Sequence, residues 1–148
     1  YVEGGVSIIG LRYFNVYGRG QTGSYAGVIT KFINNLKGKR PPIIFGDGTQ
    51  IRDFIFVEDV AKANLAAMKS TANYGFFNVG TGVTTSIRHL ARIMIDLSGL
   101  NMMPQFENPL EGDVKNSQAD ITLSKEILDW HYSTELKDGL AKFFPLSN

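Results

Sequence analysis

The sequence predicts an α/β fold with mixed parallel and antiparallel strand pairing. Three observations point there. Residues Val6 to Val16, "VSIIGLRYFNV", form a largely apolar run rich in β-branched and aromatic side chains, as in a strand buried on both faces of a parallel sheet. Later segments carry apolar residues at helical spacing and alternate with short strand-like runs. A "GDGT" turn lies between two such runs and suggests an antiparallel hairpin.

The elements follow in order. Residues 17–23 are a glycine-rich loop. Ser24 is the candidate cap of a helix through Leu36, with Val28, Ile29, Phe32, Ile33 and Leu36 on one face and Gly38 as its stop. "PPIIF" reads as a short strand whose prolines place its start at an edge. "QIRDFIF" alternates as a second strand, which completes the hairpin. "VEDVAKANLAAMKS" is a helix with acids in its first turn and a lysine in its last, which complements the helix dipole. "GFFNVG" is a short strand. Ser86 caps a helix from Ile87 to Leu97 that Gly99 ends. Beyond a proline-containing stretch, Asp120 caps "ITLSKEILDW" and Thr134 caps "ELKDGLAKFF". No internal repeat or low-complexity segment interrupts the pattern.

Composition narrows the function. The 148 residues suffice for one domain with a real core. Fifteen basic and fourteen acidic residues leave a net charge of +1, which argues against an extended nucleic-acid footprint. Without cysteine there are no disulfides and no thiolate metal sites. Two histidines, His89 and His131, are too few for a histidine metal cluster, and both read as structural or surface residues. No apolar run approaches the ~18 residues of a membrane span. No signal peptide is visible, and Tyr1 is not a native start. The expectation is a soluble, cytoplasmic chain with neither nucleic acid nor membrane as partner.

Gly18, Gly20 and Gly23 spell G-x-G-x-x-G after the first strand. Three features oppose a dinucleotide loop. The strand carries Arg12, Tyr13 and Asn15 instead of plain aliphatic residues. No acid stands about 20 residues past the loop at the end of a second strand. The alternation that should follow turns into a hairpin and irregular loops. The glycines fit a tight turn beside a ligand instead.

"LRYFNVYG", "GVITKFI", "IIFGDGTQIRDFIFVEDVAKA", "FFNVGTGVTTSIRHLA" and "EGDVKNSQADITLSKEILDW" stand in this order along nearly the whole chain. Together they resemble the C-terminal, substrate-binding part of the extended short-chain dehydrogenases, the UDP-glucose 4-epimerase-like sugar-nucleotide epimerases and dehydratases. The resemblance implies some strands of a Rossmann-type sheet and NAD as cofactor. Enzymes of this family oxidise a sugar carbon to a ketone by hydride transfer to NAD and then return the hydride, or use the ketone. Their N-terminal region holds the NAD glycine loop and a Tyr-x-x-x-Lys pair. None of the six tyrosines here has lysine four positions on. Residues 1–148 are therefore expected to be a C-terminal nucleotide-sugar-binding region, without the NAD-binding region and without a catalytic residue. The expected ligand is a UDP-sugar or related nucleotide-sugar, and the expected assembly a homodimer. A dehydratase or decarboxylase, or a non-catalytic binding module, remain alternatives.

The resemblance also implies roles. Arg52 would hold the diphosphate with its planar fork, the alternative being an ion pair with Asp53 or Asp59. Asn15 would donate to phosphate or sugar, or cap the loop. Gly27 and Val28 would offer backbone amides at a helix start. Phe45, Gly46 and Phe54 would wall the base, the alternative for the aromatics being the core. Asp113 would accept from ribose hydroxyls, or serve as a turn residue. Tyr13 would lie beside the nicotinamide, or simply pack. Leu110 stands where the family has a second arginine, so Arg19 or Lys115 are candidate replacements. Strands that lack their family neighbours should leave an apolar face and an unpaired edge exposed.

Overall fold

A computed structural model describes residues 5–21 and 27–144. The expected α/β character and mixed pairing are present. The strands are β1 (Ile8–Tyr13), β2 (Asn15–Tyr17), β3 (Ile43–Phe45), β4 (Ile51–Phe56), β5 (Tyr74–Val79), β6 (Thr84–Ser86) and β7 (Gln105–Glu107). The helices are α1 (Val28–Lys37), α2 (Val57–Lys69), α3 (Ile87–Ser98), α4 (Thr122–Leu128) and α5 (Leu136–Ala141).

Two expectations about the strands need correction. The long first strand divides at Phe14. Its first part, β1, runs parallel to β5, whereas β2 runs parallel to β4 in another sheet. The amide of Phe14 still donates to the carbonyl of Val79, 3.0 Å away, so the break falls where the chain leaves one sheet for the next. Nor is β1 buried on both faces. Ile9 and Leu11 pack toward α2 and β5, but Ile8, Tyr74 and Phe76 on the other face are 37, 62 and 48% exposed. Arg12 stacks its guanidinium on the Phe76 ring at 5.1 Å.

The second correction is the hairpin. β3 pairs in parallel with β7, and β4 is the centre of the order β2-β4-β6, antiparallel to β6. The turn has the chemistry expected of "GDGT". Asp47 accepts hydrogen bonds from the amide and hydroxyl of Thr49, and Gly46 and Gly48 take left-handed φ of 74° and 75°. What local chemistry does not fix is the partner. The central place of β4 explains why its last four residues are all buried. The short strands β6 and β7 have too few residues to show a period and were not expected.

Helices match the apolar pattern more closely. In α1, Ile29, Phe32, Ile33 and Leu36 are buried. Gly38 ends it as the C-cap, with φ −80°, and the left-handed residue is Lys39, φ 54°. Gly23 and the proposed cap Ser24 lie outside the described residues; Gly27 holds the N-cap position. Ser86 caps α3, its hydroxyl accepting from the His89 amide at 3.2 Å, and Gly99 ends that helix at φ 68°. Asp120 accepts from the Thr122 amide at 3.0 Å, one position ahead of the N-cap Ile121. Thr134 does not cap α5; that position belongs to Glu135, because the Thr134 amide is drawn 2.9 Å from Asp59.

Two apolar cores result. One gathers Tyr17, Phe32, Ile44, Phe54, Phe56, Leu90 and Leu140 between α1, α3, α5 and the strands β3 and β4. The other gathers Ile55, Val60, Phe77, Val79, Leu128 and Trp130 under α2 and α4. Asp53 ties loops across the far side of β4. Fully buried, it accepts from the Thr81 amide (2.8 Å) and hydroxyl (2.7 Å), the Gly82 amide (2.8 Å) and the Ala119 amide (3.2 Å). Gly80 is needed there, since a Cβ would lie 2.8 Å from a carboxylate oxygen of Asp53.

Candidate functional site

Alternation along β4 sets the site. Asp53 and Ile55 face one side, while Arg52, Phe54 and Phe56 face the other. Phe54 and Phe56 enter the first core. Arg52, nearer the start of the strand, reaches a cleft of about 220 Å³ whose wall also includes Asn15, Val28, Phe45 and Asp113. Five residues expected from the sequence to bind ligand are thus brought together from four separate parts of the chain.

The loop that carries Asp113 is held to β4 by backbone bonds. The Ile51 amide donates to Lys115 and the Ser117 amide to Ile51, at 2.9 and 3.2 Å. Asp113 accepts from Nη2 of Arg52 at 2.6 Å, so the arginine's partner is Asp113 and neither Asp53 nor Asp59. Nη1 of Arg52 donates to the Ile51 carbonyl at 2.8 Å. The other carboxylate oxygen accepts from Nε2 of Gln50 at 3.2 Å, and the same nitrogen donates to the Phe45 carbonyl at 2.9 Å. Gln50 therefore joins the base-wall candidate to the ribose candidate. It was missed in the sequence, where only its place beside Arg52 could have drawn attention to it. Lys31, Phe32, Ile43 and Ile87 complete the wall and were not expected there either.

Gly46 lines an adjoining hollow of about 520 Å³ with Asp47, Thr49 and Lys115. Phe45, Gln50, Leu110 and Asp113 border both spaces, so the two lie on either side of a shared wall. The amide and hydroxyl of Thr49 hold the Asp47 carboxyl below its usual range. Asn15 donates from Nδ2 to the Asp53 carbonyl at 3.0 Å, tying β2 to β4 instead of capping its own loop. Gly27 begins α1 with extended backbone and no side-chain cap, next to Val28 on the cleft wall.

Two expected residues lie elsewhere. Phe54 is 6% exposed and packs in the first core, away from the cleft wall. Tyr13 sits in a separate hollow beside α2, where its hydroxyl donates to Oδ1 of Asn64 at 2.9 Å. Of the candidate replacement cations, Arg19 donates to the Lys142 carbonyl at 3.1 Å and is off the cleft wall, while Lys115 borders only the outer hollow. His89 and His131 are exposed. Among the described residues no group of His, Asp and Glu could hold a metal ion, and no helix is long and apolar enough to cross a membrane. Gly20 has the left-handed φ of a tight turn, 93°, whereas Gly18 is required by the close approach of Val57.

The sequence profile of the NAD dependent epimerase/dehydratase family matches residues 2–80. This chain belongs to that family. A UDP-glucose 4-epimerase of Mycolicibacterium smegmatis is 40% identical over 129 residues, which are 86% of this chain and 41% of that protein. The structure of a UDP-glucose 4-epimerase from Thermotoga maritima with UDP-glucose superposes with a TM-score of 0.87 at 38% identity, covering 93% of this chain and 44% of its own. That of a UDP-glucuronic acid 4-epimerase from Bacillus cereus, in complex with UDP-glucuronic acid and NAD, gives 0.81 at 31% identity, covering 90 and 43%. The chain thus spans a little under half the length of these members of the epimerase/dehydratase family.

Proposed function

We propose that this chain is the nucleotide-sugar-binding region of an NAD-dependent UDP-sugar 4-epimerase. The observation that carries the reading is the convergence of Arg52, Asp113 and Gln50 on a cleft with aromatic and aliphatic walls. Arg52 offers a charged fork to a diphosphate. Asp113 and the side-chain oxygen of Gln50, whose amide nitrogen is spent on Phe45 and Asp113, offer acceptors to ribose hydroxyls. Phe45 gives an apolar face for the base, and Gly46, Gly27 and Val28 leave backbone close to the ligand. Asn15 reaches the sugar side of the cleft. Such contacts act on a part of the substrate remote from the reacting carbon, and they serve catalysis by fixing where the sugar lies.

NAD fits these residues only in part. Tyr13 is the one candidate contact, and its hydroxyl is held by Asn64. Val57 packs closely against Gly18, where the G-x-G-x-x-G spacing begins. The reading places the cofactor's main contacts and the acid/base pair outside residues 1–148. The open face of β1 and β5 supports self-association, and sedimentation that shows only monomer at high concentration would remove that part of the reading.

Calorimetric titration with UDP, UDP-glucose, GDP and dTDP tests the proposal. UDP and UDP-glucose should bind, and Arg52→Ala should weaken both by about tenfold or more, the loss of a charge-assisted contact. Equal affinity of the variant would take Arg52 out of the site, and no binding of any uridine nucleotide would overturn the reading.

A further inference from the structure

We propose that Lys31 is the second cation of the diphosphate site; this rests on the reading above that the cleft takes a nucleoside diphosphate. A diphosphate ester carries about two negative charges, and one arginine opposed by a carboxylate leaves little net positive charge to meet them. Both terminal nitrogens of Arg52 already have acceptors, Asp113 and the Ile51 carbonyl. The position from which a second arginine would reach is Leu110, whose side chain is apolar and 53% exposed.

Lys31 is the other cationic side chain on the wall of the inner cleft. It stands three residues after Val28, nearly one turn into α1, so both meet the same space. A helical side chain leans back over the preceding turn, here the turn that begins at Val28 on the same wall. Among the described residues that ammonium has no ion-pair partner. Its charge is therefore free to meet a phosphate, whereas that of Lys142 is taken by Glu58 and that of Lys62 by Asp59.

Lysine in this place differs from arginine at position 110. It is a mobile point charge and lacks a planar fork. It should contribute affinity for the diphosphate while doing little to fix its orientation, which is left to Arg52.

The test compares Lys31→Met, Lys31→Arg, Lys115→Met and Arg52→Ala, with UDP followed by calorimetry and uridine by chemical-shift titration. Lys31→Met should weaken UDP by about tenfold, leave uridine unchanged and reduce the salt dependence of UDP binding. Lys31→Arg should restore UDP binding to within about threefold, and Lys115→Met should have no effect. UDP affinity within twofold of the parent in Lys31→Met, or an equal loss for uridine, overturns the assignment, as does finding the loss in Lys115→Met instead. If Arg52→Ala weakens UDP while Lys31→Met does not, only the lysine assignment falls. If the unaltered protein binds no UDP, both readings fall.

Discussion

The core beneath the cleft and the core beneath β1 and β5 differ in how many sides they close. Among the described residues the first has fourteen buried members, with helices α1, α3 and α5 and strands β3 and β4 around them. The second has seven, and the sheet it supports is covered by α2 on one face while Ile8, Tyr74 and Phe76 stand open on the other. The candidate site rests on the closed core. Its floor, Phe32 and Ile87, is core, and its rim, Arg52, Gln50 and Asp113, is tied back by hydrogen bonds. The geometry of the cleft is thus set by the better-packed half of the chain, while surface available for association belongs to the other half.

The largest expected effect lies at Asp53. Asp53→Ala should cost about 3–5 kcal/mol in urea unfolding, because four donors lose a buried acceptor. A loss below about 1 kcal/mol would mean that these loops are not fastened to β4 there. Next comes a paired test of closure. Phe32→Ala should cost about 3–5 kcal/mol, whereas Phe76→Ala should stay within about 1 kcal/mol. Equal costs would show that the face of β1 and β5 is covered in solution.

Asp59 sharpens the comparison from the pH side. Burial alone would raise its pKa, but the ammonium of Lys62, the hydroxyl and amide of Ser133 and the amide of Thr134 outweigh it and hold it at about 2, against an ordinary 3.8. The unfolded chain takes up this proton first as pH falls. The stabilisation is complete above pH ~4 and is lost between about pH 4 and 2, roughly 2 kcal/mol for this group. In Asp59→Asn the chain should be less stable at neutral pH, and its acid unfolding curve should be flatter through that window. An unchanged slope would show that the carboxylate is not held as described. The smallest effect is expected at Gln50. Gln50→Ala leaves Arg52 to position Asp113, so UDP affinity should fall only about two- to fivefold. No change would mean that the bridge to Phe45 is incidental.

Helices, and the ends whose signals are local, were legible, whereas Thr134 was drawn off its helix by the distant Asp59. The buried stripe of α1, the Ser86 cap and the Gly99 stop all lie within a few residues of what they control. The partners of β2 and β3 were not legible. Nothing near "GDGT" says that β3 pairs with β7, some sixty residues away, and nothing near Phe14 says that the chain changes sheets there. The site was half legible. The charged and aromatic residues of the "FGDGTQIRDF" block and of "EGDV" could be singled out, and Arg52 does meet Asp113. Gln50 and Lys31 carry no such signal, since a glutamine beside an arginine or a lysine on a helix is ordinary until the fold shows what it faces. Phe54 shares the Arg52 face of β4 but sits deeper, 6% exposed in the first core and off the cleft wall, a depth that alternation along a strand does not reveal.

Tyr13 and Asn15 are separated by Phe14 alone, yet they serve different sheets and different hollows. Two residues of backbone reach at most about 7 Å and cannot stretch. That short span works as a ruler. However the two hollows are filled, the backbone at Tyr13 and the backbone at Asn15 stay within that reach of each other.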